Sequence, residues 1–216
     1  MTTRSIFILA LAAWLLAGSA FAQSNATILV MGDSISAAYG IQREEGWVTL
    51  LEERLSRNGQ PWRVVNASIS GETTAGGLAR LPKALDTHKP QLVIIELGGN
   101  DGLRGYPIKR IQHNLAAMVE LAQSDTSRVL LVGMQIPPNY GPRYTREFAD
   151  IFKHVAAATD SQLVPFLLED VVLIPELMQD DGIHPKAQAQ PMLLDTLWAY
   201  LQPLLQDSAL LQTTNP

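Results

Sequence analysis

Apolar residues in this chain fall into two patterns: short unbroken runs, and longer stretches in which they recur every three or four positions. Three runs are the most continuous: Ala26 to Met31 (ATILVM), Gln91 to Leu97 (QLVIIEL) and Arg128 to Met134 (RVLLVGM). Unbroken apolar runs of this length mark strands covered on both faces. Trp62 to Asn66 (WRVVN) has the same character, and Gln162 to Pro165 predicts one further short strand.

Helical spacing fills the intervals. Trp47 to Leu55 carries Trp47, Leu50, Leu51 and Leu55 on one stripe, and Thr74 to Leu85 carries Leu78, Leu81 and Leu85. Ile108 to Ala122 is amphipathic, a Pro-Pro-Asn-Tyr-Gly-Pro loop leads into a helix at about Thr145 to Ala158, and Pro185 to Leu205 contains the last helix. Strands that alternate with helices predict an α/β fold in three layers, a mainly parallel central sheet of about five strands with helices on both faces. No repeat or linker divides the chain, so one domain is expected over residues 23–216, with a polar, frayed tail from Gln206.

The first residues follow a different logic. Arg4 precedes an uncharged apolar core from Ile6 to Ala17, and Ala20-Phe21-Ala22 has the small-x-small pattern of a cleavage site. The apolar core is shorter than the roughly 20 residues a spanning helix needs. Residues 1–22 are therefore expected to be a signal peptide, and the mature chain a periplasmic or secreted protein beginning at Gln23. No later segment is long and charge-free enough to cross a membrane.

Composition narrows the chemistry. The 216 residues include no cysteine, so neither a disulfide, a thiol nucleophile nor a cysteine-bound metal enters the picture. The formal charge is −5, and loss of Arg4 with the leader makes the balance more acidic. Scattered lysine and arginine give no nucleic-acid footprint. The expected partner is a small or apolar molecule.

Glycine and polar residues gather in four loops: Gly32-Asp33-Ser34 after the first strand, Ala67 to Gly71 after the second, Gly98 to Gly102 after the third, and Asp181 to Pro185 before the last helix. The first three fall on one edge of a parallel sheet, where such folds place their sites, and the fourth can reach it. Each alone is ambiguous. Ser34 between strand and helix reads as an N-cap as readily as a nucleophile. Gly-Gly-Asn-Asp reads as a plain turn. An aspartate three residues before a histidine can accept its Nδ1–H and leave Nε2 as a base, but the same pair could be half a metal site. His88, His113 and His154 carry no comparable signal.

Taken together, Gly32-Asp33-Ser34-Ile35-Ser36, the isolated Gly71, Gly98-Gly99-Asn100-Asp101 and Asp181-Gly182-Ile183-His184 resemble the SGNH hydrolases, or GDSL esterase family, in order and over nearly the whole mature chain. Ile35 stands where the motif name has leucine. The strings ELGGNDGLRG and QDDGIHP are most similar to a bacterial periplasmic branch acting as acyl-CoA thioesterase, lysophospholipase and arylesterase. The resemblance implies the flavodoxin-like fold of that family, with Ser34 as nucleophile, His184 as base and then acid, and Asp181 orienting His184. It implies an oxyanion hole made by the N–H of Ser34, the N–H of Gly71 and the side chain of Asn100. No metal or cofactor is implied, and the substrate is an acyl ester or thioester; the sequence does not give the oligomeric state, and a monomer is the expectation.

Two decoys sit near these residues. Asp33 would have to bend back sharply to reach the Ser34 hydroxyl, and is expected to bond backbone N–H groups of the surrounding loops. Asp180 lies one residue too far from His184 for the family pattern. The loops at residues 76–80, 102–107 and 135–144 are expected to overhang the site, with Tyr106, Pro137, Pro138 and Tyr140 offering apolar contact. Competing readings are a carbohydrate acetylesterase with the same triad, a phosphate-binding module at the first strand-to-helix turn, and a non-catalytic binder on the same fold. The chain lacks both G-x-G-x-x-G and the P-loop motif, which counts against the phosphate module.

Overall fold

In the computed structural model, residues 26–206 are described; the expected leader at 1–22 and nearly all of the expected tail lie outside them. Five strands form one parallel sheet: β1 (Ala26–Gly32), β2 (Trp62–Asn66), β3 (Leu92–Glu96), β4 (Arg128–Val132) and β5 (Gln162–Val164), in the order β2-β1-β3-β4-β5. Every residue of β1 and β3 is buried, as their unbroken apolar runs require.

Helices α1 (Trp47–Arg57), α2 (Thr74–His88), α3 (Gly99–Leu103), α4 (Ile108–Ser124), α5 (Pro142–Thr159) and α6 (Gln190–Leu205) make the outer layers. Alternate strand residues point to opposite faces, and the core divides accordingly. Ile28, Val30, Ile94 and Leu130 pack with Trp47, Leu51, Leu193 and Leu197 from α1 and α6. Leu29, Met31, Ile95 and Leu131 pack with Leu81, Leu115, Phe148 and Phe152 from α2, α4 and α5. The expected three-layer α/β/α fold is the observed one.

Local chemistry sets the helix ends. The Thr73 side chain accepts the Gly76 N–H at 3.2 Å, capping α2. Pro142 opens α5, where a missing N–H costs nothing. The Gln190 side chain, at the start of α6, accepts the Trp47 N–H at 3.0 Å and ties α1 to α6.

Two local segments differ from the sequence pattern. Residues 99–103, expected as a turn, form the short helix α3, and Asp101 explains it. Its buried carboxylate accepts the Thr74 N–H at 2.8 Å and the Thr74 hydroxyl at 2.7 Å, so two helix starts hold each other. The stretch after Ser34 is a run of turns, not a helix. The cap-like bond there comes from Asp33, whose Oδ1 accepts the Ile35 N–H at 3.1 Å.

Candidate active site

The carboxyl ends of β1, β2 and β3 open into one cavity of about 480 Å³, whose lining includes Ser34, Gly71, Asn100 and His184. Parallel strands make this convergence a consequence of topology, because every strand-to-helix loop leaves from the same edge.

His184 reaches that edge from a tight loop between β5 and α6. An antiparallel bridge pairs Met178 with Pro185, the Gln179 N–H donates to the His184 carbonyl at 2.8 Å, and Gly182 turns the chain at φ +66°. The Gln179 side chain donates to the Tyr39 carbonyl at 2.8 Å, fastening this loop to the one that carries Ser34.

The three side chains form one hydrogen-bonded row. His184 Nε2 lies 2.8 Å from Ser34 Oγ, and His184 Nδ1 lies 2.6 Å from Asp181 Oδ2. The other oxygen of Asp181 accepts the N–H groups of Ile183 at 2.9 Å and His184 at 3.0 Å. Partial burial pulls the Asp181 carboxyl upward, but these hydrogen bonds and the His184 ring outweigh it and hold it below the usual range. A low, ionised Asp181 must accept from Nδ1–H. That fixes the imidazole tautomer with Nε2 open to the serine. The Tyr39 ring lies against the imidazole, centroids 4.6 Å apart.

Gly71, on the loop after β2, takes φ +80°, a conformation that favours glycine. The backbone dihedral, rather than crowding, demands glycine: a Cβ there would come no nearer than 3.9 Å to its closest neighbour, Arg104 Nη2. Arg104 donates to the Gly71 carbonyl at 3.2 Å. Arg80 braces the same loop, donating to the Ala67 carbonyl at 2.6 Å and pairing with Glu72 at 2.8 Å.

Asn100 lies near the start of α3, and its Nδ2 donates to Asp33 Oδ2 at 3.1 Å. Asp33 therefore bonds a backbone N–H, as expected, and also a side chain of the cavity lining. Burial pushes its carboxyl up from 3.8 to about 6, against hydrogen bonds from Ile35 and Asn100 and the charge of His184.

The walls differ in part from expectation. Leu103 and the stretch from Met134 to Pro138 line the cavity, including both expected prolines. Residues 76–80 lie in α2 and do not line it. Tyr106 and Tyr140 also fall outside the lining: the Tyr140 hydroxyl donates to the Leu103 carbonyl at 2.8 Å, and the Tyr144 hydroxyl to the Tyr106 carbonyl at 2.7 Å, so these rings stiffen the loop. The opposite wall, Phe166 to Leu168 with Val172 and Leu173, was not anticipated. Its string FLLEDVVLI carries neither glycine nor proline, and the Glu169-Asp170 pair in its middle does not by itself mark the flanking apolar residues as a cavity wall. Tyr39, also in the lining, has no signal in the sequence.

Residues 30–190 match the model of the GDSL-like lipase/acylhydrolase family. Esterase TesA of Pseudomonas aeruginosa is 56% identical over 179 residues, covering 83% of this chain and 89% of the relative. The thioesterase 1/protease 1/lysophospholipase L1 of Escherichia coli K12 is 42% identical over 179 residues, 83% of this chain and 85% of its own. The crystal structure of the psychrotrophic esterase EstA from Pseudoalteromonas, inhibited by monoethylphosphonate, superposes with a TM-score of 0.81 at 43% identity, covering 84% of this chain and 99% of that one.

Proposed function

The chain belongs to the GDSL-like lipase/acylhydrolase family and is a serine esterase, and from that premise we propose that Ser34, His184 and Asp181 perform acyl transfer to water. The observation that carries this is the row Ser34–His184–Asp181, with contacts of 2.8 Å and 2.6 Å at the floor of an apolar-walled cavity. A serine hydroxyl becomes an adequate nucleophile only when a positioned base takes its proton during attack.

In the first half-reaction, Ser34 Oγ bonds to the substrate carbonyl carbon while His184 Nε2 takes the hydroxyl proton. The carbonyl electron pair moves onto oxygen, where the N–H groups of Ser34 and Gly71 and the Asn100 amide receive the charge. Collapse breaks the bond to the alcohol or thiol, which leaves with the proton from His184. Water repeats the cycle on the acyl-serine, with His184 again as base. Asp181 stabilises the imidazolium at each stage.

The apolar walls, Leu103, Met134 and Ile136 on one side and Phe166 to Leu168 on the other, suit an acyl or aryl group better than a sugar. Aryl esters, acyl thioesters and lysophospholipids are the proposed substrates. The last two are in keeping with the thioesterase and lysophospholipase named for the Escherichia coli relative, and the first with the arylesterase of Vibrio mimicus, 49% identical over 177 residues. One chain supplies every group of the proposed site, which supports action as a monomer. The leader at 1–22 supports export to the periplasm, with the mature chain starting at Gln23.

One measurement tests both proposals. Protein recovered from the periplasm and treated with a fluorophosphonate should show the intact mass of residues 23–216 plus one adduct, on Ser34. Ser34→Ala should take no adduct and lose turnover of a short aryl ester. Turnover near the parent level in Ser34→Ala would refute the assignment, and a mass retaining residues 1–22 would refute the cleavage.

A further inference from the structure

Two buried carboxyl groups lie under the proposed nucleophile, and the acyl-transfer steps use neither. Asp33 is 3% exposed and Glu96, the last residue of β3, 1% exposed. Their bonding is unequal. Asp33 uses both oxygens as acceptors, Oδ1 from the Ile35 N–H and Oδ2 from the Asn100 amide. Glu96 Oε2 accepts the Ser36 hydroxyl at 2.6 Å and the Asp33 N–H at 3.3 Å, while Oε1 has no protein partner among the described residues. The packing leaves no slack: a Cβ on Gly32 would come within 2.6 Å of Ser36 Oγ and 2.8 Å of Glu96 Oε2.

We propose that Asp33 and Glu96 are a one-proton pair in which Glu96 carries the proton and holds the Ser34 turn from below, while ionised Asp33 positions Asn100 as an oxyanion donor. The inference rests on the assignment of Asn100 to the oxyanion hole. An ionised carboxylate only accepts, so it admits the NH2 end of the Asn100 amide and rejects the carbonyl end. One N–H is thereby anchored on Asp33, and the second hydrogen of the same nitrogen is left for the substrate oxyanion.

The division of the proton follows from the bonding. A bare carboxylate oxygen deep in the protein costs far more than a bare carboxylic O–H, and the bare oxygen is Glu96 Oε1. Burial and the neighbouring Asp33 both push the Glu96 carboxyl well above its usual range. The charged and titratable groups felt at Asp33 are Glu96 from β3, Asp101 from α3 and His184 from the last loop. Of these, His184 favours its ionised form and the two acids oppose it.

A double-mutant cycle on the mature enzyme with a short aryl ester separates positioning from simple scaffolding. Asn100→Ala should lower kcat by about 10²–10³, the usual loss for one oxyanion donor. Asp33→Asn should lower kcat by about 10- to 100-fold with KM within about twofold, because an amide at 33 cannot present oxygens to both Ile35 and Asn100. In the Asn100→Ala background, Asp33→Asn should be nearly silent. Glu96→Gln, a neutral isostere, should keep kcat within about threefold.

Full additivity of the two losses would overturn the positioning role alone. A silent Asn100→Ala would overturn the oxyanion assignment and this inference with it. Infrared difference spectra at neutral pH need no variant at 33: a protonated carboxyl band should be present in the parent and absent in Glu96→Gln. Its absence from the parent would overturn the proton assignment even if Asp33→Asn failed to fold.

Discussion

At the scale of single residues, the Asp181 carboxylate shows how backbone contacts fix a side chain's chemistry. Oδ1 is held by two backbone N–H groups, and only Oδ2 faces the imidazole. In Asp181→Asn the amide carbonyl must stay with those backbone donors, which turns the NH2 toward His184 Nδ1. The ring then carries its proton on Nε2 and cannot accept from Ser34. We expect kcat to fall by on the order of 10⁴ with the fold intact, read by steady-state kinetics beside a circular dichroism melt. A loss below about tenfold would mean that Asp181 does not set the tautomer. The contrast with Asp33 is instructive: it is nearer to Ser34 in sequence, yet its bonds go to Ile35 and Asn100.

At the scale of elements, glycines set how closely loops and strands approach. Gly133 follows β4 and donates to the Val164 carbonyl at 2.7 Å; a Cβ there would collide with the Pro165 carbonyl oxygen, a backbone atom with nowhere to move. Gly133→Ala should destabilise the protein by roughly 1–3 kcal/mol, measured by urea unfolding, and disturb the adjoining wall from Met134 to Pro138. An unchanged midpoint would show that β4 and β5 can slide apart freely. Strands β1, β3 and β4 were legible in the sequence because burial on both faces leaves unbroken apolar runs. The edge strands β2 and β5 are only partly buried and show shorter runs, yet Trp62–Asn66 matched to the residue. The helices were legible in register, although α2 ran on to His88 and α5 began at Pro142. What was not legible depends on partners far along the chain. Helix α3 forms because Asp101 meets Thr74, and Phe166 to Leu168, Val172 and Leu173 make a wall because the turn between them brings these side chains to the cavity. Local patterning carries neither fact. The loops after β1, β2 and β3 could be read as one neighbourhood, since parallel topology brings them to one edge, and the loop from Asp181 to Pro185 could be read only as within reach of it. Distances and proton positions within it could not.

At the scale of the whole molecule, the buried carboxyls give stability an unusual pH dependence. Most carboxylates that gain hydrogen bonds on folding are held low, as Asp181 is, so their contribution is present above about pH 4 and lost below it. Asp33 has the opposite sign. Its carboxyl binds a proton more tightly folded, at about 6, than unfolded, at 3.8. The stability it adds is complete below pH 3.8 and is lost as pH rises through about 6. Moving one carboxyl over that range is worth on the order of 3 kcal/mol, or several degrees in Tm for a chain of this size. Asp33→Asn cannot titrate and loses a hydrogen bond at every pH, so a constant offset does not matter; the slope does. The Tm difference, variant minus parent, should rise by several degrees between pH 4 and pH 7. A difference that stays flat or falls would mean that the folded protein holds Asp33 at its ordinary value. A rise would show that the protein gives up global stability near neutral pH to keep an ionised carboxylate against Asn100, where the proposed chemistry needs it.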